Sequence, residues 1–167
     1  MTINPDLQGR SYPAKEVYDV GREKIREFAR AVKATHPAHF EVDAAKALGH
    51  SDLVAPPTFA IIVAQRADAQ LIEDPDSGID FSRVVHADQR FIHHRPIVAG
   101  DRLVAELHVD GVRAMGGGAM ITTRSEIFAL AAGAAEAAGA AEAAAGDDTR
   151  EAVATATSSI LVRGEGQ

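Results

Sequence analysis

Among its 167 residues the sequence has no cysteine, which removes a disulfide framework, a thiol nucleophile and any cysteine-based zinc site. It also has no surplus of positive charge. Seventeen Lys and Arg against 24 Asp and Glu leave a net charge of -7 and a pI near 5.4. Sequence-independent binding to nucleic acid needs a basic face that displaces counterions, so that class is set aside. The opening residues, MTINPDLQGRSYP, combine neither a charged n-region with an apolar h-region nor a long apolar run. No signal peptide and no membrane span are expected, and a cytoplasmic location fits. Also missing are GxSxG, a phosphate loop and a dinucleotide fingerprint. Met115 to Gly118, MGGG, precedes a strand-like segment and reads as a hairpin. No metal, flavin or nicotinamide is implied, and the expected cofactor set is none.

The most distinctive stretch present is Ala55 to Ile72, APPTFAIIVAQRADAQLI. After the Pro-Pro step, Phe59, Ile61, Ile62 and Val63 are apolar on every side of a helix, and a helix apolar all round for two turns belongs inside a fold. Pro57 suits a first helical position, where its missing N–H costs nothing, and Ala, Gln, Arg and Leu propagate the helix. Before it, Gly21 to Lys33 is amphipathic, with Ile25, Phe28, Ala29 and Val32 on one stripe. Thr35-His36-Pro37 favours a turn, because a residue preceding proline avoids the helical region. Val42 to Leu48 is a short helix that Gly49 can cap in the left-handed conformation. A short strand is expected near Val17.

After the turn cluster Asp74 to Gly78, alternation and punctuation predict four strands: Arg83–His94, Arg102–Ala114, Ala119–Phe128 and Val153–Val162. On the second, Leu103, Ala105, Leu107 and Val109 share a face. Gly100-Asp101 and Gly116-Gly117-Gly118 supply the turns. A low-complexity insert, residues 129–147, separates the last two strands. Twelve of the 18 residues from Ala129 to Gly146 are alanine, and AAGAAE occurs twice in tandem. The insert reads as an expanded hairpin tip that packs no core and is expected to be mobile. The whole chain, 1–167, is expected to be one α+β domain: a central helix wrapped by a curved antiparallel sheet, with a helical lid from Gly21 to Leu48.

Seven histidines, at positions 36, 39, 50, 86, 93, 94 and 108, match no zinc motif. His93 and His94, adjacent on a strand, point to opposite faces. His36 and His39 can share a site if their turn closes, with Glu41 and Asp43 near. Arg90, Arg95 and His94 are read as a solvated strand edge in preference to phosphate contacts.

Two segments, VGREKIREFARAVKATHPAHFEVDAAKALGHSDLVAPPTFA and DQRFIHHRPIVAGDRL, together resemble the MaoC-like hot-dog family. The resemblance is closest to actinobacterial FAS1-like dehydratase proteins of the UPF0336 type, akin to the substrate-binding subunits of (3R)-hydroxyacyl-ACP dehydratases. It implies a hot-dog fold, an acyl-CoA or acyl-ACP thioester as ligand, and pairing with a second hot-dog subunit as homodimer or heterodimer. Catalytic members carry D-x-N-P-x-H ahead of the central helix, one group moving the proton beside the thioester carbonyl and the other handling water or hydroxyl. In this sequence the His position is His39, the Pro position Pro37 and the Asn position His36. The Asp position is Ala34, which cannot move a proton. The family's oxyanion-binding backbone N–H, at a glycine on the central helix N-terminus, falls on Pro57, which has none; Thr58 can stand in.

The resemblance therefore implies His39 and His36 as candidate catalytic residues, and Pro57, Thr58, Phe59 and Ile62 as candidate substrate-binding residues. Phe59, Ile62 and Val63 read as core in preference to tunnel lining, although on a helix beside an acyl site they can be both. Three readings follow: an acyl-binding dehydratase subunit incomplete without a catalytic partner; a self-sufficient hydratase using His39, with His36, Glu41 or Asp43 supplying the missing function; and a thioester-binding protein with no reaction.

Overall fold

The computed structural model describes residues 3–131 and 150–164. After a 3-10 turn at Pro5–Leu7 come two short strands, β1 (Ser11–Tyr12) and β2 (Tyr18–Asp19), then helix α1 (Arg22–Ala31). A 3-10 turn at Pro37–His39 leads to α2 (Val42–Ala47) and then α3 (Ile61–Glu73). The rest is strand: β3 (Val84–His93), β4 (Arg102–Met115), β5 (Gly118–Leu130) and β6 (Arg150–Val162), with a 3-10 turn at Phe81–Arg83 before β3.

The strands form one antiparallel sheet in the order β1-β4-β5-β6-β3, with β2 also on β4. Period-two alternation decides its faces. On β5 the residues Ala119, Ile121, Thr123, Ser125 and Ile127 are buried, while Met120, Thr122, Arg124 and Glu126 are half-buried on the other side. Leu103, Ala105, Leu107 and Val109 of β4 all enter the core as expected. Across this face lies α3, which contributes Val63, Ala64, Ala67 and Leu71. The alanines leave little bulk between helix backbone and sheet, and the larger side chains fill the space to either side.

Four boundaries differ from expectation, each for a local reason. Helix α3 begins at Ile61 and not at Pro57. Two consecutive prolines force a turn instead, closed by Phe59 N–H on the Pro56 carbonyl at 2.9 Å and Ile61 N–H on the Thr58 carbonyl at 3.1 Å. Val32 is 45% exposed and leaves the apolar stripe, because α1 stops at Ala31 and Lys33 takes a φ of 58°. Strand β5 runs on to Leu130 and β6 starts at Arg150, since Ala129 pairs with Glu151 and Leu130 with Arg150. Beyond those pairs, residues 132–149 and the expectation of mobility attached to them lie outside the described residues. Strand pairing near Val17 comes as two short pieces, β1 and β2, both on β4.

Glycine behaves as the turns demand. Gly49 (φ 88°) caps α2 and Gly100 (φ 95°) makes the turn into β4. There the Asp101 carboxylate accepts from the Val98 N–H at 2.9 Å and from both Arg95 guanidinium nitrogens at 2.8 and 3.0 Å. Glu151 takes the Arg95 Nε at 2.8 Å. Arg95 is thus a structural clasp with little capacity left for a phosphate.

Candidate functional site

The loop after α1 turns back on itself at once. Lys33 adopts the left-handed conformation and the Ala34 N–H bonds to the Ala29 carbonyl at 2.8 Å. His36 then caps the 3-10 turn: its Nδ1 accepts from the Ala38 N–H at 3.2 Å, and Pro37 occupies the first position of that turn. The turn swings the half-buried His39 ring toward the segment leading into α3. Its Nδ1 lies 2.6 Å from the Val54 carbonyl oxygen. A carbonyl only accepts, so Nδ1 carries the proton and Nε2 is left with the lone pair in the neutral ring. The same segment is fixed by Val54 N–H to the Ala38 carbonyl (3.0 Å) and Ala55 N–H to the Ile97 carbonyl (2.8 Å). The His39 ring is therefore fixed in orientation, held by backbone on both sides.

His36 and His39 come close, with ring centroids 6.1 Å apart and edge-to-face, but no hydrogen bond joins them. His36 is exposed and spends its Nδ1 on the turn. Glu41 and Asp43 are exposed and make no hydrogen bond to His39 among the described residues. Ala34, which the sequence resemblance aligns with the family's Asp, offers only a methyl group.

The turn before α3 presents Pro57 and Thr58 to solvent. Pro57 has no N–H, the Phe59 N–H is taken by Pro56, and the Thr58 N–H meets no acceptor among the described residues. Thr58 is thus a solvent-exposed backbone donor at this end of the helix, whereas Ala60, whose N–H also meets no acceptor among the described residues, is buried. Beneath it Phe59 is fully buried, with the Phe28 ring at 5.3 Å and the Tyr18 ring at 6.3 Å, both edge-on. Phe59 supports the turn and has no face open to a ligand, while Ile62, one turn on, is half-buried.

Ile62, Gln65, Ala69 and Ile72 follow at helical spacing along one side of α3, and the last three line a cavity of about 530 Å³ between α3 and strands β3 and β6. Asp68, Phe81, Val84, His86 and Ile160 complete most of its wall. Burial pushes the Asp68 carboxyl up to about 6, against the opposing effects of a hydrogen bond from Thr123 Oγ1 (3.1 Å) and of nearby His86. The sequence reading passes over this residue. Its signal is an acid set on the buried stripe of Ala64, Ala67 and Leu71, where an apolar residue is the norm.

On the opposite face of the sheet Glu106, His108 and Glu126 place one ligand atom each within 4.8 Å of one another. This is the set with metal-ligand geometry among the described residues. Arg150 pairs with Glu106 and Arg124 with Glu126, and His108 Nε2 is 3.7 Å from Glu126, so the carboxylates are already neutralised by an ion-pair network.

An imidazole fixed on a turn, an exposed amide just ahead of α3 and an antiparallel sheet packed across that helix are thus established. Residues 6–131 match the family model described as FAS1-like, dehydratase domain region. The chain belongs to the FAS1-like dehydratase family. Within the same set, a UPF0336 protein of Clavibacter michiganensis subsp. michiganensis is 48% identical over 165 residues, 99% of each chain. Another from Leifsonia xyli subsp. xyli is 49% identical over 98% of this chain and 97% of its own. Among solved structures, a chain of the C-terminally truncated HadBC (3R-hydroxyacyl-ACP dehydratase) complex from Mycobacterium tuberculosis superposes with a TM-score of 0.74 at 35% identity. That match covers 93% of this chain and 97% of the other. A MaoC-like dehydratase gives 0.76 at 32% identity, over 95% of this chain and 42% of its own. The fold of this FAS1-like dehydratase chain is the α+β hot-dog, and its domain is of the dehydratase type. Among the described residues no helix is long and apolar enough to cross a membrane.

Proposed function

We propose that the chain is the acyl-thioester-binding subunit of a (3R)-hydroxyacyl-ACP or -CoA dehydratase in fatty-acid-type elongation, working beside a second hot-dog subunit that carries the complete acid–base pair. One observation carries this reading: His39 is pre-oriented as a base by Val54, yet Ala34 stands where its acid partner is needed. Dehydration moves two protons, one from the carbon beside the thioester carbonyl and one onto the departing hydroxyl. A lone imidazole with only an exposed His36 ring beside it, and no hydrogen-bonded carboxyl among the described residues, is poorly equipped for both. Pro57 at the oxyanion position points the same way, although Thr58 N–H is available to polarise a carbonyl.

The need for a partner has its own support. Strand β3 is a ten-residue edge with Val85 42% and Ile92 46% exposed, next to Phe81 at 67%. A long apolar edge left unpaired invites another strand. Similarity to a chain of the HadBC complex over nearly its whole length favours a hot-dog partner.

Hydration of a short trans-2-enoyl thioester, followed as loss of enoyl absorbance, tests the proposal. The purified chain is expected to give no turnover alone and to gain it when co-expressed with a hot-dog subunit bearing D-x-N-P-x-H. A self-sufficient hydratase is the second reading, favoured by the fixed tautomer of His39. Turnover by the chain alone, abolished in His39→Ala, would establish it in place of the first.

A further inference from the structure

The imidazole of His39 stands at one end of a continuous run of hydrogen bonds whose far end is a carboxylate. Its Nδ1–H donates to the Val54 carbonyl at 2.6 Å. The same peptide unit ends in the Ala55 N–H, which donates to the Ile97 carbonyl at 2.8 Å. That second unit ends in the Val98 N–H, which donates to Asp101 Oδ2 at 2.9 Å. Both peptide units are trans, so in each the C=O and N–H point opposite ways and the run keeps one direction throughout. The Val54–Val98 bridge and the Ala99 N–H on the Leu53 carbonyl (2.9 Å) hold the two segments side by side. Ala55 and Ile97 are buried, so water competes little for the middle of the run. Arg95 closes the far end, with two nitrogens on Asp101 and its Nε on Glu151.

We propose that Asp101 is a positioning residue for His39: its negative charge, passed through the Ile97–Val98 and Val54–Ala55 peptide units, holds the ring as the Nδ1–H tautomer and enriches the lone pair on Nε2. The physical step is polarisation. An N–H that donates to an anion shifts electron density onto the carbonyl of its own peptide unit, which becomes a stronger acceptor for the next donor, by ~10–30% per bond. Asp101 acts in this way on Ile97, and Ile97 on Val54. The opposite tautomer would set the Nδ1 lone pair against an oxygen already rich in charge. A histidine is commonly oriented by a carboxylate placed directly on its ring N–H. No carboxyl bonds to His39 among the described residues, and the backbone carries the effect from the turn before β4 instead. The inference concerns the ring itself and stands whether or not His39 acts on a thioester, since no turnover enters its readout.

Proton–nitrogen correlation NMR on the isotope-labelled full chain reads the tautomer of each neutral ring at about pH 8.5, roughly two units above the ordinary imidazole value. The signals that vanish in His39→Gln are those of His39. The wild type is expected to show mainly the Nδ1–H form. Asp101→Asn, which keeps an acceptor for the Val98 N–H but loses the charge, should lower the ratio of Nδ1–H to Nε2–H by about twofold or more. Arg95→Gln separates polarisation from a purely structural clasp. With the guanidinium gone the carboxylate charge is less offset, so the ratio should hold or rise, whereas a clasp that only pins the turn would lower the ratio in both variants. Arg95→Gln also decides the matter if Asp101→Asn does not fold. A wild-type ring mainly in the Nε2–H form, an unchanged ratio in Asp101→Asn, or a fall in Arg95→Gln would each overturn the proposal.

Discussion

His39 and Asp68 illustrate how one contact decides what a titratable side chain is ready to do. The Val54 carbonyl accepts a hydrogen bond from the Nδ1–H of His39 and thereby leaves the lone pair on Nε2. Asp68 has a hydroxyl on one oxygen and a hollow beside the other, and burial holds its carboxyl near 6, well above its ordinary value of 3.8. The folded state therefore binds that proton more tightly than the unfolded chain does. Its contribution to stability is full below about pH 4 and is lost as pH rises through 6. Asp68→Asn, which never ionises, should match the wild type near pH 4 and exceed it at pH 8 by up to about 3 kcal/mol. Chemical denaturation at the two pH values measures the difference. The other groups at the cavity, His86 on β3, Glu73 on α3 and Thr123 on β5, are common to both proteins. An unchanged gap between the variants at both pH values would contradict the assignment. Asp52, Asp74 and Asp80 are held below the usual carboxylate range, by hydrogen bonds from Arg22, Tyr12 and Ser82 respectively, and cancel in the same comparison.

Among the elements, the turn into α3 is the one on which the candidate site rests. Phe59 anchors it, fully buried between Phe28 of α1 and Tyr18 of β2. Phe59→Ala should lower stability by about 3–5 kcal/mol, the range for removing a buried ring, and should loosen Thr58 with it. Urea unfolding gives the first effect, and hydrogen exchange at the Ile61 N–H, which bonds to the Thr58 carbonyl, the second. The helices and strands themselves were legible: α1, α2 and all four long strands lie within a few residues of where periodicity puts them, because alternation and amphipathicity report which side meets the core. The start of α3 was misjudged because a single proline at a helix N-terminus is favourable and a Pro-Pro step before a buried ring is not. Val32 was misjudged because a left-handed Lys33, which no local pattern announces, ended the helix at Ala31, two residues before the expected end.

For the molecule as a whole, the strand ends make a prediction about the alanine-rich insert. Leu130 and Arg150 are cross-strand partners, so the hairpin arms already meet in register on either side of residues 131–149. Replacing 131–149 with Asn-Gly should leave Tm within about 4 °C of the parent, since shortening a loop costs little closure entropy and Asn-Gly suits a two-residue hairpin. A large loss in a thermal melt would show that the insert carries structure the fold needs.

The linear order of residues determined the acidic surface, the helix and strand alternation, the turn glycines and the Ala34, His39 and Pro57 pattern, because each is a property of composition or short spacing. It could not determine which tautomer His39 holds or that Arg95 is spent on Asp101 and Glu151. Nor could it place Asp68 opposite His86, partners 18 residues apart that meet only because α3 crosses the sheet where β3 lies at its edge. Those features arise from packing between distant segments, which changes the solvation and the hydrogen-bond partners of a side chain without leaving a mark on its neighbours in sequence.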